Sequence, residues 1–351
     1  MTDTRFWFGW IVWMFLASSM TAKVPFDEKA TANNQEVKLL KVDAAESKSK
    51  TFHLQNAIDY LDRTSMAWTQ KHKCFTCHTN YLHLIAMSDF RQKPKYFNAV
   101  HQSLNQMVTQ RWKEKGPRWD AEVVMAAVTL ALVDRGNGTR LSPAAKIAVD
   151  RVWEVQRDDG GFDWLKCDWP PMESDDEFGA AMAAVGLSAV PKNYLESQAA
   201  KAGVAKLKKY IRTNAIQKLH NRALLVWANR LGGDWISGLQ AQKTVNELVS
   251  LQKQDGGWNT PSMGKWDRVD GQDPDHQTSD GYATGLAVFV LLRSGLGKDH
   301  ESVREGIQWL KNNQRESGRW YTRSVSKGSK HYLTHAGTAL AIMALKAGEE
   351  N

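Results

Sequence analysis

The chain has 351 residues, of which 42% are apolar and 24% charged, a composition that is typical of globular proteins and excludes global disorder. No apolar run reaches the roughly 18 residues that would indicate a membrane-spanning helix, and three cysteines are too few for a disulfide scaffold. The net charge is +8, but the 46 basic residues are interspersed with 38 acidic ones. This distribution predicts a solvated surface and no nucleic-acid partner.

Residues 1–22 have the pattern of a signal peptide or membrane anchor. Residues 6–17 (FWFGWIVWMFLA) form an apolar run with the length of a signal-peptide core, and this run is too short to span a bilayer. The small residues that follow offer a cleavage site after Ala22. We therefore predict an exported protein, either periplasmic or anchored to the membrane by this segment. A buried N-terminal helix is the alternative.

Residues 23–50 are polar and lack periodicity, so we expect a flexible leader before a globular domain at residues 51–351. Strand patterns are almost absent from this domain. Some segments are apolar on nearly every side and must be buried on every side, namely residues 121–133, 178–190, 222–231, 281–292 and 335–345. Others have a polar face, such as residues 54–68, 146–156, 243–252 and 302–313. The alternation predicts an inner ring of helices wrapped by an outer ring.

The apolar helices recur along the chain at intervals of about 40 to 60 residues, which is typical of a repeat architecture. Their predicted starts lie near His78, Trp119, Asp175, His220, Asp280 and His335. Each interval is long enough for two helices and two loops. Six such pairs predict an all-α fold, an (α/α)6 toroid, whereas an open solenoid is the alternative.

A short motif, QxxxGx followed by Phe or Trp, recurs where an amphipathic segment meets an apolar one. It occurs at residues 156–162 (QRDDGGF), 252–258 (QKQDGGW) and 314–320 (QRESGRW), which we call the first, second and third QW turns. Glycine suits the positive φ of a helix C-terminus, and glutamine can bond to the unpaired backbone groups there. The motif therefore predicts a structural turn without chemistry of its own.

The three turns resemble the QW repeats of squalene cyclases and of the related protein prenyltransferase β subunits. The resemblance covers most of residues 100–350 and is clearest from residue 145 onward. It implies the terpenoid cyclase/prenyltransferase-like α/α toroid that the periodicity also predicts. It further implies an isoprenoid or another small molecule as the ligand.

Residues 173–176 (ESDD) resemble the DxDD motif of squalene-hopene-type cyclases, with Glu173 in place of the first Asp. In that family the middle Asp protonates an alkene, which implies Asp175 as the catalytic acid, with Glu173 and Asp176 as its neighbours. Crowded carboxylates raise the pKa of one of them, so that one acid can remain protonated near neutral pH.

Asp280 and His335 resemble the positions of zinc ligands in prenyltransferase β subunits. There an Asp-x-Cys motif and a later His bind zinc, but Tyr282 stands here in place of the Cys. Without the Cys thiolate we do not expect prenyl transfer, and an exported protein would lack the α-subunit partner of those enzymes. Asp280 and His335 could still hold a metal through oxygen and nitrogen ligands; alternatively, the Asp caps its helix and the His is hydrogen-bonded.

Residues 74–78 (CFTCH) match the attachment motif of c-type haem. In such a site Cys74 and Cys77 form thioethers with the porphyrin and His78 is the proximal ligand of the iron. A haem would imply a redox partner. A Cys74–Cys77 disulfide and a zinc site completed by nearby residues are the alternatives.

Ring closure would make the first and sixth inner helices neighbours, which predicts that His78 lies near His335. We expect both to face one central polar cavity together with Glu173, Asp175 and Asp280. Three functions are compatible with this cavity: a haem-bearing redox or binding protein, a terpenoid cyclase-like isomerase that uses Asp175, and a carbohydrate-active enzyme with two carboxylates such as Asp120 and Asp175.

Overall fold

A computed structural model of the protein describes residues 36–138, 140–167, 169–214, 216–328 and 331–350. These ranges contain helices and two isolated β-bridges but no β-strand, which confirms the predicted all-α class. No helix within them is both long and apolar enough to cross a membrane. The predicted signal or anchor segment, residues 1–22, lies outside the described residues.

The α-helices of these ranges are numbered in chain order. They are α1 (Leu54–His72), α2 (Asn80–Ala86), α3 (Phe97–Gln106), α4 (Trp112–Lys115), α5 (Asp120–Asn137), α6 (Pro143–Val155), α7 (Asp176–Ala189), α8 (Lys192–Leu195), α9 (Gln198–Thr213), α10 (Leu219–Arg230), α11 (Gly238–Ser250), α12 (Gly281–Ser294), α13 (Glu301–Asn313) and α14 (Leu333–Glu350). A π-helical turn at Met107–Arg111 joins α3 to α4, and a 3-10 turn spans Thr260–Met263.

The inner ring consists of α2, α5, α7, α10, α12 and α14, whose side chains are buried on nearly all sides. Each of these helices packs against the next one, and α14 packs against α2, which closes the ring. All six begin within two residues of the starts predicted from the sequence. The predicted (α/α)6 toroid is therefore confirmed.

The outer ring is formed by α1, α3, α6, α9, α11 and α13, which bury one face each. Serine caps fix the starts of three of them. The side chains of Ser142, Ser197 and Ser237 accept hydrogen bonds from the first-turn amides of α6, α9 and α11. A serine cap satisfies a backbone donor that the helix itself leaves unpaired, so these positions define where the outer helices begin.

The inner helices run in the same direction, so their N-termini meet at one end of the ring. At that end, Asn221 in α10 donates to Asp175 at the start of α7 over 3.3 Å. At the opposite end, Arg135 of α5 donates to the carbonyl oxygens of Ser188, in the last turn of α7, and of Leu231, directly after α10. The polar residues that precede the inner helices are therefore gathered on one rim.

Each QW turn follows one outer helix and is hydrogen-bonded to the next outer helix or to the residue before it. In the third turn, Nε2 of Gln314 donates to the carbonyl oxygens of Gly318 (3.1 Å) and of His53 (3.0 Å), which precedes α1. The corresponding bonds are Gln156 to Gly160 and Gly203, and Gln252 to Gly256 and Ser302. The third turn thus closes the outer ring, and the predicted structural function of the motif is confirmed.

The glycine of each QW turn is required by the backbone. Gly318 has φ = 96°, which only glycine adopts without strain. A Cβ atom there would also lie 2.2 Å from the carbonyl oxygen of Asn56 in α1. The third QW turn can therefore approach α1 this closely only because Gly318 has no side chain.

Residues 36–50, the described part of the predicted flexible leader, lie against the third QW turn. Arg319 forms an ion pair with Glu46 and donates to the carbonyl oxygen of Lys41 over 2.9 Å. The amide of Ser49 donates to the carbonyl oxygen of Gln314 over 2.8 Å. The leader sequence contains no periodic pattern, and its partners lie far along the chain, so the sequence alone did not indicate this contact.

Candidate functional site

His78 and His335 meet at the rim formed by the N-termini of the inner helices. Oγ1 of Thr79 lies between them, 2.7 Å from Nδ1 of His78 and 3.0 Å from Nδ1 of His335. The centroids of the two rings are 6.4 Å apart, and both residues are buried. The prediction that ring closure brings His78 and His335 together is therefore confirmed.

Aromatic side chains surround His78. Its ring stacks on Tyr332 with centroids 4.8 Å apart and an interplanar angle of 10°, and it contacts Trp68 edge-on at 5.0 Å. Trp169 packs against it at 5.6 Å. Trp169 belongs to the described residues 163–167 and 169–175, which lie between the first QW turn and α7 and which we call the cap segment. No pattern in the sequence indicates that these rings meet around His78.

The cap segment contributes one more residue, Glu173, to the group around His78. Its carboxyl is hydrogen-bonded to the Cys77 thiol, and its side chain is only 6% exposed. We call Cys77, His78, Glu173, Tyr332 and His335, with the rings of Trp68 and Trp169, the rim cluster. Side chains that were expected to line an open polar cavity are thus packed together and covered by aromatic rings.

Burial sets the protonation of two acidic groups in the rim cluster. It raises the pKa of Glu173 to about 7, and the hydrogen bond from Cys77 opposes part of this rise. Burial and the proximity of Glu173 raise the pKa of the Cys77 thiol well above its usual range. Near neutral pH, Glu173 is therefore divided between a carboxylic acid and a carboxylate, which is the condition that favours general acid catalysis.

Asp175, the acid implied by the family resemblance, caps α7. One carboxylate oxygen accepts hydrogen bonds from the amide of Phe178 (2.9 Å) and from Asn221 (3.3 Å), and the other lies 3.3 Å from Nζ of Lys218. These are the bonds of a structural carboxylate. Asp175 is thus held by the first turn of α7, by Asn221 and by Lys218.

The remaining carboxylates of the predicted site begin α5 and α7, and they bond to the first QW turn and to the residues directly after it. Asp176 accepts a hydrogen bond from Arg157 over 2.7 Å and another from the amide of Trp164. Asp120 accepts from the amide of Asp163 over 3.0 Å, and burial raises its pKa. The acidic run 173–176 is thus divided between the rim cluster, a helix cap and a turn.

Asp280 and His335 have different partners. Asp280 caps α12 and accepts hydrogen bonds from the amide of Ala283 (2.9 Å) and from the amide and hydroxyl of Thr260 (2.7 and 2.8 Å). Burial raises the pKa of Asp280 to about 6 and lowers that of His335 to about 3. Across the described ranges, no group of three or more His, Cys, Asp or Glu residues is arranged to hold a metal ion.

His220 and Tyr282 form a buried pair beside the rim cluster. Nε2 of His220 lies 2.7 Å from Oη of Tyr282, and Nδ1 lies 2.8 Å from the side-chain oxygen of Asn221. Burial lowers the pKa of His220 to about 4, so its imidazole is neutral near pH 7. His220 and Tyr282 lie in the first turns of α10 and α12, at the same rim as the cluster. His220 is among the predicted starts of the inner helices, whereas Tyr282 stands out in the sequence only because it replaces a cysteine.

The CxxCH motif forms the turn that precedes α2. Nδ2 of Asn80 donates to the carbonyl oxygen of Cys74 over 2.9 Å, and the amide of Thr76 donates to Oδ1 of Asn80 over 2.8 Å. Haem on this motif would occupy space around His78 that Tyr332 and the other rings fill in this arrangement. Haem binding, which stays a prediction, would therefore require the aromatic rings to separate.

Comparison with known sequences places the chain near squalene-hopene cyclases. The family profile described as "Squalene-hopene cyclase C-terminal domain" matches residues 229–335. A probable squalene--hopene cyclase of Sinorhizobium fredii (strain NBRC 101917 / NGR234) is 34% identical over 79 residues, which are 22% of this chain and 12% of that protein. The chain thus matches about an eighth of the length of this curated relative.

Solved structures show the same fold at low sequence identity. The ent-copalyl diphosphate synthase from Streptomyces platensis has a TM-score of 0.54 and 14% identity, over 77% of this chain and 50% of that one. The type II terpene cyclase MstE from Scytonema has a TM-score of 0.52 and 15% identity, over 85% and 99% of the two chains. With its QW turns, the chain is a squalene-cyclase-like α/α toroid.

Proposed function

We propose that this toroid is a terpenoid cyclase-like isomerase in which Glu173 protonates an alkene of an isoprenoid-type substrate. The observation that carries the proposal is the burial of the Glu173 carboxyl, which is 6% exposed in the same turn as the ring of Trp169. Burial raises the pKa of this carboxyl to about 7. The similarity to squalene-hopene and terpene cyclases supports the substrate class.

The proton of Glu173 would pass to one alkene carbon as the π electrons form the new C–H bond, which leaves a carbocation on the neighbouring carbon. The hydrogen bond from Cys77 would stabilise the Glu173 carboxylate that results. The faces of Trp169 and Tyr332 can stabilise a nearby cation, because the quadrupole of an aromatic ring attracts positive charge. Loss of a proton from the product cation to Glu173 would restore the acid, so that the reaction is a net isomerisation.

The cap segment would control access to this acid. Trp169 and Glu173 are paired by an isolated β-bridge, so the ring and the acid are held in one short turn. In this proposal a substrate reaches Glu173 when the turn moves outward, and the return of the turn excludes water from the cation. Water exclusion matters because water would otherwise capture the carbocation.

The purified protein, incubated with squalene in deuterated buffer, tests the proposal. We expect a cyclised or isomerised product with deuterium on carbon, detected by mass spectrometry. Glu173→Gln should lower the rate by about 100-fold, a typical contribution of a general acid. Asp175→Asn retains the helix cap and should remain within a few-fold of the wild type. Loss of turnover in Asp175→Asn alone would refute Glu173 as the acid, and an undeuterated product would refute protonation.

A second function, that of an exported haem-bearing redox or binding protein, is favoured by the position of Cys77 and His78 in the same cluster. Protein produced in a host competent for haem c maturation should then have a Soret band that survives denaturing extraction. The Cys74→Ser/Cys77→Ser variant, which lacks both attachment sulfurs, is the matched control. A colourless wild-type protein from that host would contradict this second proposal.

A further inference from the structure

A cavity lies at the end of the toroid opposite the rim cluster, where the inner helices end. Its volume is about 310 Å³, and α5, α10, α12 and α14 line it with residues of their C-terminal halves, together with the end of α2. This volume is at the lower end of the range for small-molecule sites, which is about 300–1,000 Å³. We call this space the C-terminal cavity.

Three of these helices present the same pair of residue types to the C-terminal cavity, an apolar side chain followed three or four residues later by a cation. The pairs are Trp227 with Arg230, Phe289 with Arg293, and Met343 with Lys346. Residues at this spacing lie on one face of a helix, one turn apart. The cavity therefore has an apolar inner part, where the rings of Trp227 and Phe289 meet edge-on with centroids 5.1 Å apart, and a basic outer edge.

The cations of α12 and α14 have acidic partners. Arg293 lies 3.4 Å from a carboxylate oxygen of Asp89 and 3.4 Å from one of Glu350. Nζ of Lys346 lies 3.4 Å from a carboxylate oxygen of Glu349. These acids offset the charge of Arg293 and Lys346, so the two cations do not by themselves make an anion site.

Arg135 and Arg230, which also line the cavity, differ from them. Both are exposed, and neither forms an ion pair with an acid of the described ranges. Arg135 donates to the carbonyl oxygen of Leu231, the residue directly after Arg230, so the two arginines lie at the same side of the cavity. A cation in the last turn of a helix can offset the partial negative charge of the carbonyl groups there. This explains Arg135, but the side chain of Arg230 has no hydrogen bond to any described residue.

We propose that the C-terminal cavity binds an amphipathic oxyanion, such as an alkyl phosphate, with its anionic group at Arg230 and Arg135. The apolar part of the ligand would lie against Trp227 and Phe289. The guanidinium group presents donors in a fork that matches the oxygens of a phosphate or carboxylate, which makes arginine well suited to such a group. The inference goes beyond the proposed function, because it concerns binding at the end of the toroid opposite Glu173.

Isothermal titration calorimetry of the full-length protein with octyl phosphate tests the proposal. We expect saturable binding that is at least about 10-fold tighter than that of inorganic phosphate or of octanol, the usual worth of hydrogen bonds to a charged group. Each of these two compounds lacks one of the groups that the cavity accommodates. No binding of octyl phosphate, or equal binding of octanol, would overturn the proposal.

Two variants assign the binding to the cavity. Arg230→Gln should weaken the binding of octyl phosphate by about 10-fold or more. Arg63→Gln is the matched control and should bind like the wild type, because Arg63 is an exposed arginine of α1 whose side chain also has no partner in the described ranges. Equal affinities in the two variants would mean that Arg230 does not hold the anion and would contradict the inference.

Methyl NMR of the methionine-labelled protein locates the ligand. Met343 lines the C-terminal cavity, whereas Met172 lies in the cap segment at the other end of the ring. Octyl phosphate should shift the methyl signal of Met343 and leave that of Met172 in place, with the two signals assigned through Met343→Leu and Met172→Leu. A shift of the Met172 signal alone would place the ligand beside Glu173 and refute the C-terminal site, without bearing on Glu173 as the acid.

Discussion

Replacement of Trp320 by alanine is expected to lower the free energy of unfolding by about 3–5 kcal/mol, the usual cost of truncating a large buried aromatic side chain. The side chain of Trp320 is completely buried, and its Nε1 donates to the carbonyl oxygen of Leu310 over 2.8 Å. The third QW turn closes the outer ring, so the cavity would form where the last outer helix meets the first. Urea-induced unfolding of both proteins, followed by circular dichroism, measures the difference.

Two control variants make this result specific. Trp320→Phe keeps an aromatic ring but loses the bond to Leu310, and it should recover part of the stability, because Phe162 occupies the equivalent buried position in the first turn. Trp119→Ala removes a ring that is 54% exposed and should change the stability by less than about 0.5 kcal/mol. An equal loss in Trp119→Ala and Trp320→Ala would mean that burial in the QW turn does not determine the effect.

The starts of the inner helices could be predicted closely because the sequence pattern that indicates each helix lies within that helix. A helix that is apolar on every side has to be buried on every side, and the boundaries of α5, α7 and α12 follow directly from the polar residues that precede their apolar runs. The partners of the QW glutamines could not be predicted in the same way. Gln314 bonds to His53, and this contact exists only because the first and last outer helices become neighbours when the ring closes.

The sequence was sufficient to predict where the candidate site lies. It was less informative about the role of each residue in that site. Closure of the ring was enough to predict the contact of His78 with His335. The different partners of the carboxylates in residues 173–176 depend instead on the backbone conformation of these residues. Asp175 is extended, with φ = −155° and ψ = 156°, and α7 begins at the next residue, which makes Asp175 the cap. Glu173 lies in the turn before it, and no sequence pattern indicates that this turn folds over Cys77.

Glu173→Gln is expected to stabilise the protein above pH 7, in contrast to its effect on activity. The pKa of Glu173 is about 7 in the folded protein, compared with a usual value of 4.5. The folded chain therefore binds this proton more tightly than the unfolded chain, so the contribution of Glu173 to stability declines as the pH rises from 4.5 to about 7. Above that range the buried carboxylate costs about 3 kcal/mol, since each pKa unit corresponds to about 1.4 kcal/mol.

Glutamine resembles the protonated form of Glu173 and removes this cost. The variant should be more stable than the wild type by up to about 3 kcal/mol above pH 7, and the difference should shrink towards zero near pH 4.5. Urea unfolding at a series of pH values measures this dependence. Asp175→Asn is the matched control and should show no gain above pH 7, because it loses the ion pair of Asp175 with Lys218. A Glu173→Gln variant that is no more stable than the wild type above pH 7 would show that the buried acid is not held in its neutral form, and the proton donor of the proposed reaction would be lost with it.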